Sequence, residues 1–386
     1  MKVLVISHAA IQRSWQKKFA EITKDQSIQI TLLLPKYWIE NYHRVRVEIN
    51  TKSKLNYVVG KTVWKGFSNR YFFLTKFCNL LKTLQPDIIH LEQEPWSLIA
   101  LQTAFYRNCI LPKCRIIFRT SRSFEGQLKL PWLAATIEKY TYKNSEFAFP
   151  LSKRAAQLLE RRGYKNGIEV IPNGVDTDLF RKLDATMIRK SLGIDSAFTI
   201  GYIGRFVKEK GLGILLKAVG GIDQDFRLLF VGDGPYKNDL INLSNRLGIN
   251  EKLHLVETIP ADQIPLYLNF MDVLVLPSYK TGNWEEFFGR VLIEAMACEV
   301  TVIGSDSGEI PNVIGRAGLI FKSKNVDSLR IALERVMDDD DFRWNLSKMG
   351  RALVKNYYSW ERIAEKTKDV YFKLIGKKQL CDTTMK

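Results

Sequence analysis

Cysteine, histidine and long apolar runs are scarce in this chain of 386 residues. Its five cysteines are scattered without a Cys-x-x-Cys pair, which argues against a disulfide framework or a zinc site and favours a reducing compartment. The four histidines lack ligand spacing, and we expect His90 and His254 to be core or strand-end residues. No stretch approaches the roughly 18 apolar residues of a membrane-spanning helix. The first apolar run is too short for a signal sequence, so we expect a cytoplasmic protein.

Acidic residues are in short supply in the first half of the chain. Residues 1–175 contain 28 Lys and Arg against 12 Asp and Glu, whereas residues 176–386 contain 30 and 29. The formal net charge of +17 therefore resides almost entirely in the first half. Such asymmetry indicates two units with different partners. We expect residues 1–175 to face something anionic, such as a membrane surface, an acidic glycan or a lipid-phosphate acceptor. Solubility alone is the alternative explanation of the excess charge.

What the sequence does contain is the composition of a folded protein, with 46% hydrophobic and 26% charged residues. Short β-branched runs alternate with amphipathic segments, and this alternation occurs twice. The pattern predicts an α/β protein made of two doubly wound domains, each with a parallel sheet between helices. The predicted strands cover residues 3–6, 28–34, 87–91, 115–118, 147–151, 168–171, 199–203, 227–231, 252–256, 273–276, 300–303 and 319–321.

A turn cluster at 171–176 marks the boundary between the two predicted domains, because composition and charge change there together. The sequence thus predicts an N-terminal Rossmann-like domain over residues 1–172 and a C-terminal one over 173–359. Helices are expected at 71–84 and 96–107, followed late in the chain by a helical tail over 326–378 that breaks near 356–360. The last helix, 360–378, is expected to cross back to the first domain.

Two glycine-rich turns follow predicted strands in the second half. One is Gly204-Arg205, with Lys210 a few residues later, and the other is the Gly-Asp-Gly-Pro turn at 232–235. Glycine lets the backbone approach a ligand closely, and Arg and Lys neutralise an anion. Helix N-termini at the carboxyl ends of parallel strands also attract anions. Either turn alone is equally well explained as a tight strand-to-helix connection, but together they favour a phosphate-binding site.

Two glutamates flank the predicted start of a helix near Phe288. Glu294 would lie two turns from Glu286, on the order of 12 Å along the axis, which is comparable to the span of a nucleotide sugar from hexose to ribose. Carboxylates accept hydroxyl donors, and a helix N-terminus between them would face a diphosphate. The simpler alternative is an amphipathic helix with two exposed glutamates. Glu294, however, falls in an apolar stretch, where an unpaired carboxylate would be costly.

Together these motifs resemble the GT-B retaining glycosyltransferases of family 4, also called group 1. Glu286 and Glu294 form the Glu-x7-Glu motif, and the order of the other motifs is also similar: Pro-Asn-Gly-Val-Asp at 172–176, the two glycine turns, and Ser-Asp-Ser-Gly-Glu-Ile-Pro at 305–311. The resemblance is close over about 170–322 and looser over 1–169. It implies two Rossmann-like domains facing a cleft. It also implies transfer of a sugar from a UDP- or GDP-sugar to a glycan or lipid-linked hydroxyl acceptor, with retention of configuration and without a metal.

The resemblance also implies roles for individual residues. Arg205 and Lys210 would hold the donor diphosphate, Glu286 the donor sugar and Glu294 the ribose. Arg205, Lys210 and Glu286 are thus the expected catalytic residues. The expected donor-binding residues are Gly204, Arg205, Lys210, Gly232, Gly234, Glu286, Phe287, Phe288, Gly289, Arg290, Val291 and Glu294. The expected acceptor-side residues are His8, Glu94 and Arg119.

The chain departs from the family pattern at four places. Phe287 stands where members often have glycine, and Glu-Val-Thr at 299–301 replaces a frequent Gly-Val-Pro. The first loop, Ser-His-Ala-Ala at 7–10, lacks the common glycines, and Arg-Thr-Ser-Arg at 119–122 lacks a common histidine. These departures suggest an altered sugar pocket and acceptor side.

Two other interpretations compete with this one. An Asp-x-Asp sequence at 176–178 suggests metal-dependent sugar transfer, but it lies in the interdomain turn, which favours a structural role. The alternative function is a non-catalytic basic module that binds an anionic membrane or nucleic acid and keeps a vestigial nucleotide pocket. No nucleic-acid-binding motif is recognisable, and the intact Arg205, Lys210, Glu286 and Glu294 favour an active enzyme without a nucleic-acid partner.

Overall fold

The computed structural model describes residues 1–40, 43–74, 76–125, 131–186, 197–282 and 284–376. The chain divides into two compact units: Met1–Pro172 with the chain from Trp360 onward, and Asn173–Ser359. Each unit contains a parallel sheet whose strand order reverses at a central strand, so crossover helices cover both faces. The predicted class of two doubly wound α/β domains is therefore confirmed. Positions 377 and 378 of the predicted last helix lie outside the described residues.

The first unit is built on a seven-stranded parallel sheet in the order β5-β2-β1-β6-β7-β8-β9. The residues of β1 from Val3 to Ile6 are all fully buried, as expected for a parallel strand covered on both faces. The strands are β1 (Lys2–Ile6), β2 (Gln29–Pro35), β5 (Asn56–Gly60), β6 (Ile88–Leu91), β7 (Arg115–Thr120), β8 (Phe147–Pro150) and β9 (Gly167–Ile168), with a separate hairpin of β3 (Tyr37–Glu40) and β4 (His43–Arg46). The helices before the boundary are α1 (Arg13–Ile22), α2 (Phe77–Leu84), α3 (Leu98–Ile110), α4 (Pro131–Lys143) and α5 (Lys153–Arg161).

The second unit is built on a six-stranded parallel sheet in the order β12-β11-β10-β13-β14-β15. Its strands are β10 (Phe198–Ile203), β11 (Phe226–Val231), β12 (Leu253–Val256), β13 (Val273–Leu276), β14 (Thr301–Ser305) and β15 (Leu319–Phe321). Its helices are α6 (Leu212–Val219), α7 (Lys237–Arg246), α8 (Ile264–Phe270), α9 (Arg290–Ala297), α10 (Ile310–Ile314), α11 (Val326–Asp338) and α12 (Asp340–Leu353). A π-helical turn, Val354–Tyr358, follows α12 at the predicted break.

The last described helix, α13 (Trp360–Ile375), packs within the first unit. The Trp360 indole meets the Trp15 indole of α1 edge to face, with ring centroids 6.2 Å apart. Deeper in the core, the Tyr371 hydroxyl lies 2.5 Å from His90 Nδ1 on β6. The first unit is therefore assembled from both ends of the chain.

The structure differs from the sequence prediction between residues 37 and 84. The β3–β4 hairpin and β5 were not predicted, and α2 begins at Phe77 rather than at residue 71. Tyr71 and Phe73 are buried in an extended segment, and Phe73 forms a bridge with Thr62. Core packing of these two rings therefore overrides the helical pattern at this point. None of the helices in the described ranges is long and apolar enough to cross a bilayer.

Candidate functional site

The two predicted glycine turns pack against each other at the carboxyl ends of the adjacent strands β10 and β11. The Phe206 amide donates to Asp233 O at 2.8 Å. A Cβ on Gly232 would lie 2.0 Å from Gly204 O, and a Cβ on Gly234 would lie 2.4 Å from Phe206 O. Both glycines also have positive φ, +143° and +156°. A side chain at either position would push the turns apart.

Lys210 and Glu286 form an ion pair at the same edge of this sheet. Lys210 ends a short 3-10 turn after β10, and Glu286 lies in the loop after β13. Their Nζ and Oε2 atoms are 2.5 Å apart, and the Ser278 hydroxyl donates to the same Oε2 at 3.1 Å. The Trp284 ring lies 5.1 Å from Nζ. The structure thus brings two predicted catalytic residues into direct contact.

Arg205, the other predicted catalytic cation, has an exposed side chain on the first glycine turn. The turn itself is fixed, because the Tyr202 hydroxyl donates to Arg205 O at 2.9 Å. Tyr202 is fully buried, so the backbone of Arg205 is anchored to the core. The arrangement presents a guanidinium to solvent from a fixed backbone, which is suited to binding an anion.

Helix α9 begins at Arg290 with Gly289 as N-cap, two residues after the predicted start near Phe288. Gly289 has φ +78°, which is incompatible with a right-handed helix. The Phe288 side chain is buried and meets the Tyr358 ring at 5.8 Å. Its side chain is therefore part of the core, and only the backbone of Phe288 suits the predicted role. Phe287 and Val291 are half-buried.

Glu294 is buried at 6% exposure within α9. Its Oε1 accepts from the Arg290 guanidinium at 2.8 Å, one turn earlier on the same helix. The buried carboxylate is therefore paired, as its burial requires, because the i,i+4 cation of Arg290 stabilises it. Burial alone does not single out a ribose as the partner of Glu294.

Three residues of this edge were not predicted from the sequence. Ser278 and Trp284 contact the Lys210–Glu286 pair, and Glu285 is 1% exposed with its Oε2 3.9 Å from Lys280 Nζ. Ser278 could have been found, since polar residues just after a buried parallel strand lie at the ligand-binding edge of the sheet. Nothing in the pattern distinguishes buried Glu285 from its neighbour Glu286.

The predicted acceptor-side residues all lie in the first unit, at the carboxyl ends of the adjacent strands β1, β6 and β7. His8 contacts the Gln93 amide through Nδ1 and the Trp38 ring at 4.7 Å. Burial lowers the pKa of His8 to about 4, so the ring is neutral at pH 7. The structure thus brings a neutral imidazole to the same edge as the other two residues.

Glu94 is bound by the loop that follows β7. Its carboxylate accepts from Thr120 Oγ1 at 2.7 Å and from the amide and hydroxyl of Ser121 at 2.8 and 2.6 Å. Burial raises the pKa of Glu94 despite these hydrogen bonds. Arg119, the third predicted residue, places Nε 3.6 Å from Glu92 Oε2. It therefore contacts a carboxylate that the sequence prediction did not include.

Glu92 is the centre of a buried ionic cluster in the first unit. The Lys18 ammonium donates to Glu92 Oε1, and His90 Nε2 lies 3.0 Å from the same oxygen. Burial would raise the pKa of Glu92, but Lys18 and Arg119 hold it well below its ordinary value. Burial lowers the pKa of Lys18 to about 8. Burial, with Lys18 nearby, also lowers the pKa of His90 to about 4, so His90 is a neutral core residue.

Two further features lie apart from these groups. A cavity of about 500 Å³ opens at the amino ends of β6 and β7, lined by residues that include Asp87, Arg115 and Ile375, and it contains none of the predicted site residues. In the Asp-x-Asp turn, the Asp176 carboxylate accepts from the backbone amides of Asp178 and Leu179, which is a structural role. Within the described ranges, no group of three or more His, Cys, Asp or Glu could hold a metal ion.

Comparison with known proteins identifies similar families over both units. The family model described as "Glycosyl transferases group 1" matches residues 184–353, and the one described as "Glycosyltransferase Family 4" matches residues 25–179. The first match contains the Lys210–Glu286 pair and Glu294. The second contains Glu94 and Arg119 but not His8.

Individual proteins are similar at lower identity. The GDP-mannose-dependent alpha-(1-6)-phosphatidylinositol monomannoside mannosyltransferase of Mycobacterium tuberculosis is 26% identical over 264 residues, which cover 66% of this chain and 69% of that protein. The 2-deoxystreptamine glucosyltransferase of Streptomyces kanamyceticus is 25% identical over 324 residues, covering 79% and 82%. The structure of Anabaena HepE in complex with UDP has a TM-score of 0.74 at 15% identity, covering 97% of this chain and 100% of that one. At this identity the likeness concerns the fold.

Proposed function

Because the chain belongs to the group 1, or family 4, glycosyltransferases of the GT-B fold, we propose that it transfers a hexose from a nucleotide-sugar donor to a hydroxyl acceptor. The observation that carries this proposal is the Lys210–Glu286 pair beside two interlocked glycine turns at the carboxyl edge of the second sheet. Such an edge is where open α/β sheets bind nucleotides. The second unit is accordingly the donor-binding domain, and the first unit is the acceptor-binding domain.

The donor is a UDP- or GDP-sugar in this proposal. The mycobacterial relative is named as GDP-mannose-dependent, whereas HepE has been solved with UDP, so relatives support both nucleotides. The acceptor is a glycan or a lipid-linked glycan, since the mycobacterial relative is named for a phosphatidylinositol mannoside. His8, Glu94 and Arg119 are the proposed acceptor-side residues. We place the reaction in the cytoplasm.

The proposed reaction needs stabilisation of the negative charge that develops on the departing diphosphate. Arg205 and Lys210 supply two cations for this charge, and no metal is required in the proposal. Lys210 now contacts Glu286, so donor binding would exchange partners: the ammonium would turn to the diphosphate, and the Glu286 carboxylate would accept from sugar hydroxyls. Glu294 would accept from the ribose. Transfer would proceed with retention of configuration, as the family resemblance implies.

Calorimetry with UDP, GDP and ADP tests this division of roles. Glu294→Gln should weaken binding of the preferred nucleoside diphosphate at least tenfold, because its proposed partner is the ribose. Glu286→Gln should leave that binding nearly intact while lowering sugar transfer at least tenfold, because its proposed partner is the sugar. Glu299→Gln is the matched control, since Glu299 pairs with Lys348 beyond the end of α9, and it should change neither. Equal loss of nucleotide affinity in the first two variants would contradict the proposal.

A further inference from the structure

Large apolar side chains are exposed together with basic ones on one face of the first unit. Trp64, Phe67 and Leu74 are 56–57% exposed, and Ile39 on β3 is 43% exposed. We call this surface the aromatic ledge and define it by Ile39, Trp64, Phe67, Leu74, Lys61 and Arg70. Water contact with so many large apolar groups is unfavourable, and clustered exposure of this kind marks an interaction site.

The backbone fixes these side chains outward. Trp64 has φ +47°, a conformation that is strained for a bulky residue. Its carbonyl accepts from the Phe67 amide at 3.1 Å, and Phe67 O accepts from Tyr71 N at 3.2 Å. Tyr71 is fully buried and anchors the loop to the core. The strain is therefore retained in a well-anchored loop whose apolar groups point to solvent.

The aromatic ledge has two parts, the Trp64–Phe67 turn and strand β3, and these are adjacent. A Cβ on Gly66 would lie 3.2 Å from Ile39 Cβ, which places the Trp64–Phe67 turn against strand β3. The Arg70 guanidinium lies 5.9 Å from the centre of the Phe67 ring. Tyr37 lies beside Ile39 on β3. The centre of its ring is 4.1 Å from Lys65 Nζ and 3.8 Å from the Arg44 guanidinium. Cations thus lie next to the Phe67 ring and next to the Tyr37 ring beside Ile39.

Charge around the ledge is predominantly positive. Residues 36–76 contain nine Lys and Arg but two Asp and Glu, and residues 61–76 contain no acidic residue. This segment accounts for much of the excess positive charge of the first half. Nucleotide-sugar binding cannot explain it, because the proposed donor site lies in the second unit.

We propose that the aromatic ledge binds the surface of an anionic lipid bilayer. Tryptophan and phenylalanine at the level of the headgroups, flanked by Lys and Arg that contact lipid phosphates, are the combination that holds proteins at a membrane interface. Each cation close to an anionic surface strengthens binding about fivefold. This inference uses the proposed function only in placing the donor site in the second unit, and its test contains no donor or acceptor sugar.

The test is co-sedimentation of the full chain with vesicles of phosphatidylcholine alone or mixed with phosphatidylglycerol. We expect binding to the mixed vesicles at 0.1 M salt and loss of binding toward 1 M, as the Debye length falls from about 10 to about 3 Å. The double variant Lys61→Gln with Arg70→Gln should lower the partition coefficient at least tenfold. Trp64→Ser with Phe67→Ser should do the same while leaving the thermal transition near that of the wild type.

Trp344→Ser is the matched control. Trp344 is 59% exposed on α12 of the second unit and should not contribute to vesicle binding. Equal partition of the wild type to both kinds of vesicle, or to neither, would overturn the proposal. So would binding that persists in both ledge variants, or that falls equally in the Trp344 control.

Discussion

We predict that substitutions in the Lys210–Glu286 pair affect stability and activity differently. The pair has Nζ and Oε2 2.5 Å apart, with side chains 15% and 12% exposed. Its contribution to the free energy of unfolding should fall between those of two kinds of ion pair. An exposed pair is worth about 0.2–1 kcal/mol, and disruption of a buried pair costs about 3–5 kcal/mol. Lys210→Met should therefore lower the free energy of unfolding by about 2 kcal/mol, because the Glu286 carboxylate keeps only the Ser278 hydroxyl among these contacts.

Substitution of the acidic partner should lower the free energy of unfolding by less. Glu286→Gln leaves the Lys210 ammonium beside the Trp284 ring, where a cation–π contact of about 1 kcal/mol compensates in part. We expect a loss of about 1 kcal/mol for this variant. The double variant removes both charges, so its loss should also be about 1 kcal/mol, which gives a coupling energy of about 2 kcal/mol.

The assay is a double-mutant cycle by denaturant unfolding, accompanied by sugar-transfer rates. All three variants should lose at least about tenfold in turnover, so the double variant regains stability without regaining activity. The Lys348–Glu299 pair, at 45% and 22% exposure, is the control cycle and should couple by under about 1 kcal/mol. Additive stability losses for Lys210 and Glu286 would refute the electrostatic reasoning, and wild-type turnover in the double variant would refute the catalytic assignment.

Three further predictions concern other parts of the molecule. Arg205→Ala should reduce turnover at least about tenfold, the effect of losing roughly 1.4 kcal/mol of transition-state stabilisation, whereas the exposed neighbour variant Lys208→Ala should not; equal rates would remove Arg205 from the site. Sugar transfer should persist in EDTA, because cationic side chains carry the proposed charge stabilisation; loss that Mg²⁺ or Mn²⁺ restores would reveal a metal site, with Asp176 and Asp178 the first to test. The folded-state pKa of His90 is lowered to about 4 from 6.5, so its stabilising contribution is present above pH 6.5 and is lost as the pH falls toward 4. Unfolding free energy should drop by about 2 kcal/mol from this group between pH 7 and pH 5; a His90→Gln variant with the same pH dependence would contradict this.

The sequence predicted those features of the fold and site that depend on local patterns. Strand–helix alternation is a property of neighbouring residues, so it predicted two parallel sheets whose central strands match the structure. The glycine turns could also be predicted, because only glycine fits the close approach at positions 232 and 234.

The contacts that could not be predicted join residues distant in sequence. Lys210 and Glu286 were assigned to different parts of a ligand, yet in the structure they neutralise each other. Lys18 lies on an amphipathic helix, where a lysine is expected in solvent, but it is buried against Glu92. No periodicity encodes such a pair, because its partners meet only when the sheet and helices pack. Core packing likewise decided that residues 71–73 are extended.

The contact between Tyr371 and His90 has a consequence for how the protein is made. The first unit includes α13, yet α13 is synthesised after the whole of the second unit. Residues 1–172 therefore leave the ribosome with Trp15 and the surface around His90 lacking their covering helix. The second unit is continuous from Asn173 to Ser359, so all of its chain is available for folding before α13 has been synthesised. Packing of α13 against residues 1–172 joins parts of the chain that are separated by the whole second unit, so this step of folding has a high contact order. Until it occurs, the uncovered surface is available to chaperones.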